Sequence, residues 1–148
     1  MEQMAHVTDI MTENVKTVGP KTTVAEIIKI LNDTRFNGLP VVDTDGKLLG
    51  LVTEYNLINH QSLLPAFLDK KWEKLAADAQ SLATATADQV MEAEPLTLRF
   101  SDTYEAALGL FNKHHRVNPV PVVDENDKLV GIVSRYDLLK LLRLYGHT

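Results

Sequence analysis

A stretch of 24 residues occurs twice in this chain. Arg35–Ile58 reads RFNGLPVVDTDGKLLGLVTEYNLI and Arg116–Leu139 reads RVNPVPVVDENDKLVGIVSRYDLL; the two lie 81 residues apart and match without gaps at 12 of 24 positions. A repeat of this quality restricts the fold to two copies of one supersecondary unit. The repeat extends upstream at an offset of 80, where Asp9-Ile10-Met11 aligns with Gln89-Val90-Met91 and Val15–Val18 with Pro95–Leu98. One extra residue near His114-His115 absorbs the change of offset, at a helix end where an insertion is cheap. A copy of roughly 60 to 70 residues buries little core alone, so the two copies are expected to share an interface.

Each copy is predicted to run β-α-β-β-α. A short strand-like segment comes first. Val24, Ile27, Ile28 and Leu31 then repeat at i, i+3, i+4 and i+7, as do Tyr104, Ala107, Leu108 and Phe111, which is one face of an amphipathic helix. Thr23 with Glu26, and Asp102 with Glu105, have the spacing of capping boxes. A hairpin follows, its strands rich in β-formers. Gly46 turns the first hairpin and Asn126 or Asp127 the second, since these residue types tolerate positive φ. A closing helix begins near Thr53 and near Ser134. Between the copies Leu64, Leu68, Trp72 and Leu75 share a helical face, and Leu64–Ala79 is expected to form a helix outside the pair, with SLATATAD as a connector.

Composition narrows the function classes. The chain has 148 residues, a net charge of −5 and no cysteine. The negative balance argues against a phosphate-tracking nucleic-acid surface, and the absence of cysteine removes disulfides and thiolate chemistry. Apolar runs fall far short of the ~20 residues a membrane helix needs, and the N-terminus lacks the pattern of a signal peptide. A cytoplasmic protein without nucleic-acid or membrane partners is the expectation. From Lys128 onward Lys128, Arg135, Lys140 and Arg143 face one acid, Asp137, which provides local positive charge for a small anion. Adjacent His114 and His115 point in different directions on a helix, so no metal site is expected. No GxSxG, HExxH, P-loop or dinucleotide fingerprint occurs, and the chain reads as non-catalytic.

Two β-α-β-β-α units, each with a PVVD strand and a closing GhhTxxN or GhhSxxD, resemble a tandem pair of cystathionine β-synthase (CBS) domains, a Bateman module. The resemblance covers roughly residues 6–60 as the first unit and 84–143 as the second, leaving 61–83 as helical insert and linker. It implies an α+β fold with the units packed about a pseudo-twofold axis, leaving two clefts. It also implies a regulatory role as a stand-alone module, in which an adenosine-containing ligand such as AMP, ADP, ATP or S-adenosylmethionine binds and no cofactor is required. Carried over position by position, one cleft uses Ile132, Ser134, Arg135 and Asp137 with Thr17, Val18, Asn37, Gly38, Leu39 and Pro40. The second uses Leu51, Thr53 and Asn56 with Thr97, Leu98, Asn118, Pro119, Val120 and Pro121.

The residue types explain why such a motif suits a nucleotide. A carboxylate accepts both hydroxyls of a ribose diol with charge assistance, and Asp137 supplies one. Asn56 offers a neutral acceptor instead. Ser134 and Thr53 stand where a strand turns into a helix and free N–H groups favour an anion. Arg135 follows Ser134, whereas Glu54 takes that place in the first copy, so the second cleft is expected to be weaker. Ser-x-x-Asp at a helix start is equally a capping motif that needs no ligand. A structural interaction module with empty clefts is therefore the competing class. Asp137–Tyr145 carries more apolar residues than one buried stripe requires, from which a homodimer is expected. The regulated partner is not specified by any motif.

Overall fold

The two PVVD segments become equivalent strands of two separate three-stranded sheets. The computed structural model describes residues 5–59, 68, 72–115 and 117–145, with backbone alone at 144 and 145. The first sheet holds β1 (Gly38–Val42), β2 (Leu48–Thr53) and β3 (Glu92–Ala93), in that order; the second holds β4 (Leu98–Arg99), β5 (Val120–Val123) and β6 (Leu129–Val133). The helices are α1 (Val24–Thr34), α2 (Glu54–Ile58), α3 (Trp72–Thr84), α4 (Ala87–Val90), α5 (Tyr104–Lys113) and α6 (Arg135–Tyr145), preceded by a 3-10 turn at Val7–Asp9. The second copy runs β4-α5-β5-β6-α6 as expected, whereas in the first the opening strand is reduced to a single bridge between Val18 and Val41 ahead of α1-β1-β2-α2; in both copies the PVVD segment opens a strand–strand–helix run. Among the described residues no helix is long and apolar enough to cross a membrane.

Local chemistry accounts for the element ends. The Thr23 hydroxyl accepts from the Glu26 amide while the Glu26 carboxylate accepts from the Thr23 amide, the reciprocal capping box expected there. In the second copy the cap is Thr103, whose hydroxyl accepts from the Ala106 amide at 3.2 Å. Asp102, predicted for that role, instead accepts from the Arg99 amide at 2.8 Å and closes the preceding turn. Thr103 is the position equivalent to Thr23, so the repeat register was the better guide than the acidic residue beside it. The hairpin turns place Gly46 at φ 85° and Asp127 at φ 63°. The Asp124 carboxylate accepts from the Asn126 and Lys128 amides at 2.8 and 3.0 Å, holding the second turn without a glycine.

The compact units do not coincide with the sequence repeats. One unit comprises residues 17–44 and 49–94; the other comprises 1–16, 45–48 and 95–148. The segment before the first repeat therefore folds with the second, and the segment before the second folds with the first. Both cores show the exchange. Val18, Val24, Ile27, Leu39, Val41, Val52 and Leu57 are joined by Ala87 and Leu82. Leu98, Ala107, Phe111, Val120, Val122, Val133 and Leu138 are joined by Val7 and Ile10. Val7 and Ala87 are themselves equivalent positions, each fully buried.

Glycines make the seats for these exchanged segments. A Cβ on Gly131 would stand 2.7 Å from the Met11 sulfur and 2.8 Å from the Thr12 carbonyl oxygen; one on Gly50 would stand 2.5 Å from the Met91 sulfur and 2.8 Å from the Glu92 carbonyl oxygen. The backbone is then stitched down. Thr12 N donates to Ile132 O at 2.8 Å and Ile132 N to Thr12 O at 3.0 Å, and in the other unit Leu51 pairs with Glu92. The tip of the first hairpin, residues 45–48, also belongs to the second-repeat unit, where Leu48 N donates to Asp127 O and Leu129 N to Gly46 O, both at 3.0 Å.

The segment between the repeats differs from its expected form. Its described helix, α3, continues to Thr84, past the predicted end at Ala79 and through half of the SLATATAD connector. Leu82 is buried in the first-repeat core, whereas Leu68 and Trp72 of the predicted face are exposed. Burial of Leu82 anchors the last turn and so extends the helix. Leu64 lies outside the described residues.

Candidate functional site

The second-copy motif places a buried carboxylate at a strand-to-helix junction. Ser134 follows β6 and caps α6: its hydroxyl accepts from the Asp137 amide at 3.2 Å while the Asp137 carboxylate accepts from the Ser134 amide at 2.8 Å. Asp137 is 4% exposed, and a buried charge is stable only when paired and hydrogen-bonded. Two further donors meet that requirement. Lys140 Nζ lies 2.7 Å from Oδ1, and the Thr12 hydroxyl lies 3.3 and 3.4 Å from Oδ1 and Oδ2. Lys140 Nζ also donates to the Ile10 carbonyl at 2.9 Å.

The first-copy motif is closed on itself. Asn56 Oδ1 accepts from the Thr53 amide at 3.0 Å and from the Thr53 hydroxyl at 2.8 Å, and the hydroxyl accepts in turn from the Asn56 amide at 3.1 Å. The positions equivalent to Thr12 and Lys140 are Glu92 and Asn59. Both side chains accept from the backbone amide of their own cap, but the first copy replaces an acid held also by a cation and a distant hydroxyl with an amide held also by its own cap hydroxyl. An aspartate at 56 would lack the cation that the second copy provides.

Other predicted residues fall as follows. Arg135 turns away from the motif. Its guanidinium donates to the carbonyls of His114 and Val117, both at 3.4 Å, and to that of His115, and lies 5.3 Å from the centre of the Phe111 ring. A cation over the open carbonyls at the end of α5 is favourable on its own account. The Arg135 amide donates to Asn118 Oδ1 at 3.1 Å, and the Glu54 amide to the Asn37 carbonyl at 3.1 Å, so each asparagine anchors the first turn of its own copy's closing helix. Thr17 is half-buried and precedes Val18, which bridges to β1 through Pro40 O and the Val42 amide. Gly38, Leu39 and Pro40 are buried in β1, Val120 and Pro121 in β5, and Leu51, Leu98 and Ile132 in their strands; Thr97 is exposed. Pro119 follows a cis bond from Asn118. Arg116 lies outside the described residues.

Sequence reasoning missed Thr12 and the specific role of Lys140. Lys140 had a signal, since a basic residue three positions after an acid on a helix is its neighbour. Thr12 had none: it stands 125 positions from Asp137 in the chain. Two grooves, of about 730 Å³ in the first-repeat unit and 620 Å³ in the second, lie on the helical faces beside Glu54 and Arg135. Neither is lined by Thr53, Asn56, Ser134 or Asp137. Among the described residues no cluster of histidine and acidic side chains has the makings of a metal site.

The family model described as CBS domain matches residues 7–62 and 87–144. CBSX1, a chloroplastic CBS domain-containing protein of Arabidopsis thaliana, is 32% identical over 143 residues; the match takes in 86% of this chain and 59% of CBSX1, so the chain spans little more than half that relative. Among solved structures, CBSX2 of Arabidopsis thaliana in complex with AMP superposes with a TM-score of 0.77 at 28% identity, covering 97% of this chain and 99% of that one. The CBS domain pair of protein MJ0100, in complex with 5′-methylthioadenosine and S-adenosyl-L-methionine, gives 0.69 at 25% identity, covering 93% and 99%.

Proposed function

This chain belongs to the CBS domain family, and from that premise we propose that it is a non-catalytic sensor of an adenosine-containing ligand. The observation that carries the reading is Asp137, a buried carboxylate at the start of α6 in a chain that resembles AMP-bound CBSX2 over nearly its whole length. The first turn of α6 favours the anionic end of a nucleotide, and the carboxylate favours a ribose diol. The first copy, with Asn56 in place of the acid, binds more weakly. A charge-assisted hydrogen bond exceeds a neutral one by ~1 kcal/mol, a difference of about fivefold in affinity. Arg135 adds nothing to this difference, because its guanidinium is committed to the end of α5.

Calorimetry with AMP tests the reading. Asp137→Ala should abolish the tight phase and Asn56→Ala should leave it nearly intact. Equal losses from the two variants would refute the asymmetry. A folded, ligand-free protein that gives no heat with AMP, ATP or S-adenosylmethionine would favour the interaction-module alternative.

We also propose that the chain forms a homodimer. Three repeat-equivalent pairs of apolar residues are exposed: Ile28 and Leu108, Tyr55 and Tyr136, Ile58 and Leu139. Ile28 and Leu108 were expected to face the core, yet they point outward from α1 and α5. Leu142 adds to the second patch at 65% exposure. Apolar surface kept in the same place on both copies has the character of an association face, and a closed twofold pair is the commonest way to cover it. Binding would act on such an assembly through different affinity for its states.

A further inference from the structure

The donors that hold Asp137 do not all belong to the motif. The Ser134 amide is local to α6. The Thr12 hydroxyl belongs to the exchanged N-terminal segment, and Lys140 Nζ bridges Asp137 Oδ1 to the Ile10 carbonyl of that same segment. Apart from these polar links, the segment is held by Val7 and Ile10 in the core, by the Met11 seat on Gly131 and by the ladder between Thr12 and Ile132. Only the links to Asp137 would sense what the carboxylate binds. The first copy has Asn56, Asn59 and Glu92 at the corresponding positions, so it lacks this arrangement.

We propose that Thr12 and Lys140 are positioning residues that couple occupancy of the Asp137 carboxylate to the N-terminal segment. This rests on the proposed binding of an adenosine ligand and names the element that reports it. A carboxylate has about four acceptor sites. Thr12 straddles both oxygens through long bonds of 3.3 and 3.4 Å, the weakest of the set. An incoming diol competes first with Thr12 and then with Lys140. Losing them removes the polar anchors at Thr12 and Ile10, and the segment loosens where it crosses β6. By linkage, a change that loosens the segment alters affinity for the diol by the same factor.

The test is hydrogen exchange on the full chain, read at the Met11 and Thr12 amides, which donate to Val7 O and Ile132 O, with AMP as the probe. Binding is followed in parallel by calorimetry. In the ligand-free protein Lys140→Met should lower protection at these amides about tenfold, the scale of one charge-assisted hydrogen bond. AMP should lower it in the parent at the same amides, while protection elsewhere holds or rises. AMP should then lower it little further in Lys140→Met, because the same links are already lost. Thr12→Val supplies a second variant, with a smaller loss of protection at the same amides, should Lys140→Met lose its helical circular dichroism. Heat of binding without loss of protection at Met11 and Thr12, or strictly additive effects of AMP and Lys140→Met, overturns this inference and leaves the binding reading standing. No heat in the folded parent overturns both.

Discussion

Replacing Gly131 by alanine tests whether the exchanged segment is seated as tightly as its geometry states. The new methyl would lie 2.7 Å from the Met11 sulfur and 2.8 Å from the Thr12 carbonyl oxygen. The sulfur ends a flexible side chain and can move. The carbonyl cannot move freely, because it accepts from the Ile132 amide at 3.0 Å and Thr12 N is itself tied to Ile132 O. Alanine for glycine would restrict the unfolded chain and so stabilise by ~0.4–1 kcal/mol where the site is open. Overpacking a closed site costs ~1–3 kcal/mol, and here it wins. A chain of this size loses roughly 2–4 °C in Tm per kcal/mol, so Gly131→Ala should melt about 2–12 °C below the parent under two-state conditions. Gly50→Ala should behave alike, since the Met91 sulfur and the Glu92 carbonyl crowd it in the same way. Gly109→Ala is the control with the opposite sign. It lies on α5 with nothing within 4 Å of the added methyl, and helix propensity favours alanine by up to ~1 kcal/mol, so its Tm should rise by about 1–4 °C. The reasoning fails if Gly131→Ala melts with the parent or above it while Gly109→Ala behaves as stated.

The remaining predictions concern charge and association. Asp88 holds its proton less firmly than its ordinary pKa of 3.8, first because it accepts from the Thr86 hydroxyl and then because it accepts from Lys21 at 2.9 Å. A depressed folded-state pKa contributes stability that is present above the ordinary value and lost as pH falls through the lowered one; melting followed from about pH 5 down to about pH 3 should show a shallower decline for Asp88→Asn than for the parent, and parallel curves would remove Asp88 from the account. Light scattering at micromolar concentration should return about twice the chain mass of 16.5 kDa, and Leu139→Glu with Leu142→Glu should return the mass of one chain, since both side chains are exposed and α6 remains helical; a parent of single-chain mass would end the dimer proposal.

Much of each unit was legible because its information is local. The β-formers around PVVD, the glycine or aspartate at the hairpin tip and the Thr23–Glu26 capping box all act over a few residues, and the second copy largely repeats the first. Where two local signals competed, the structure chose by register: Thr103 caps α5 as Thr23 caps α1, and Asp102 serves the turn before it. The Ser134–Asp137 box was visible for the same reason, as a spacing of three within one turn. Arg135 was misleading for a phosphate contact because nothing nearby in sequence signals that the carbonyls of His114, His115 and Val117 converge on its guanidinium.

The amino-acid sequence alone determined that two like units exist, which faces of their helices and strands are apolar, and which residue types stand at each strand-to-helix junction. Tertiary structure alone decided which opening segment completes which unit. Val7 and Ala87 occupy equivalent positions, as do Met11 and Met91, and the seats at Gly131 and Gly50 are equivalent too. A local pattern that occurs in both copies cannot state its own partner, so pairing depends on contacts between residues 41 positions apart at Leu51–Glu92 and 120 apart at Thr12–Ile132. The polar surroundings of Asp137 follow from that choice. Once residues 5–16 pack beside α6, Thr12 and the Ile10 carbonyl come within reach of Asp137 and Lys140, and a helix-capping acid becomes a buried carboxylate joined to the start of the chain.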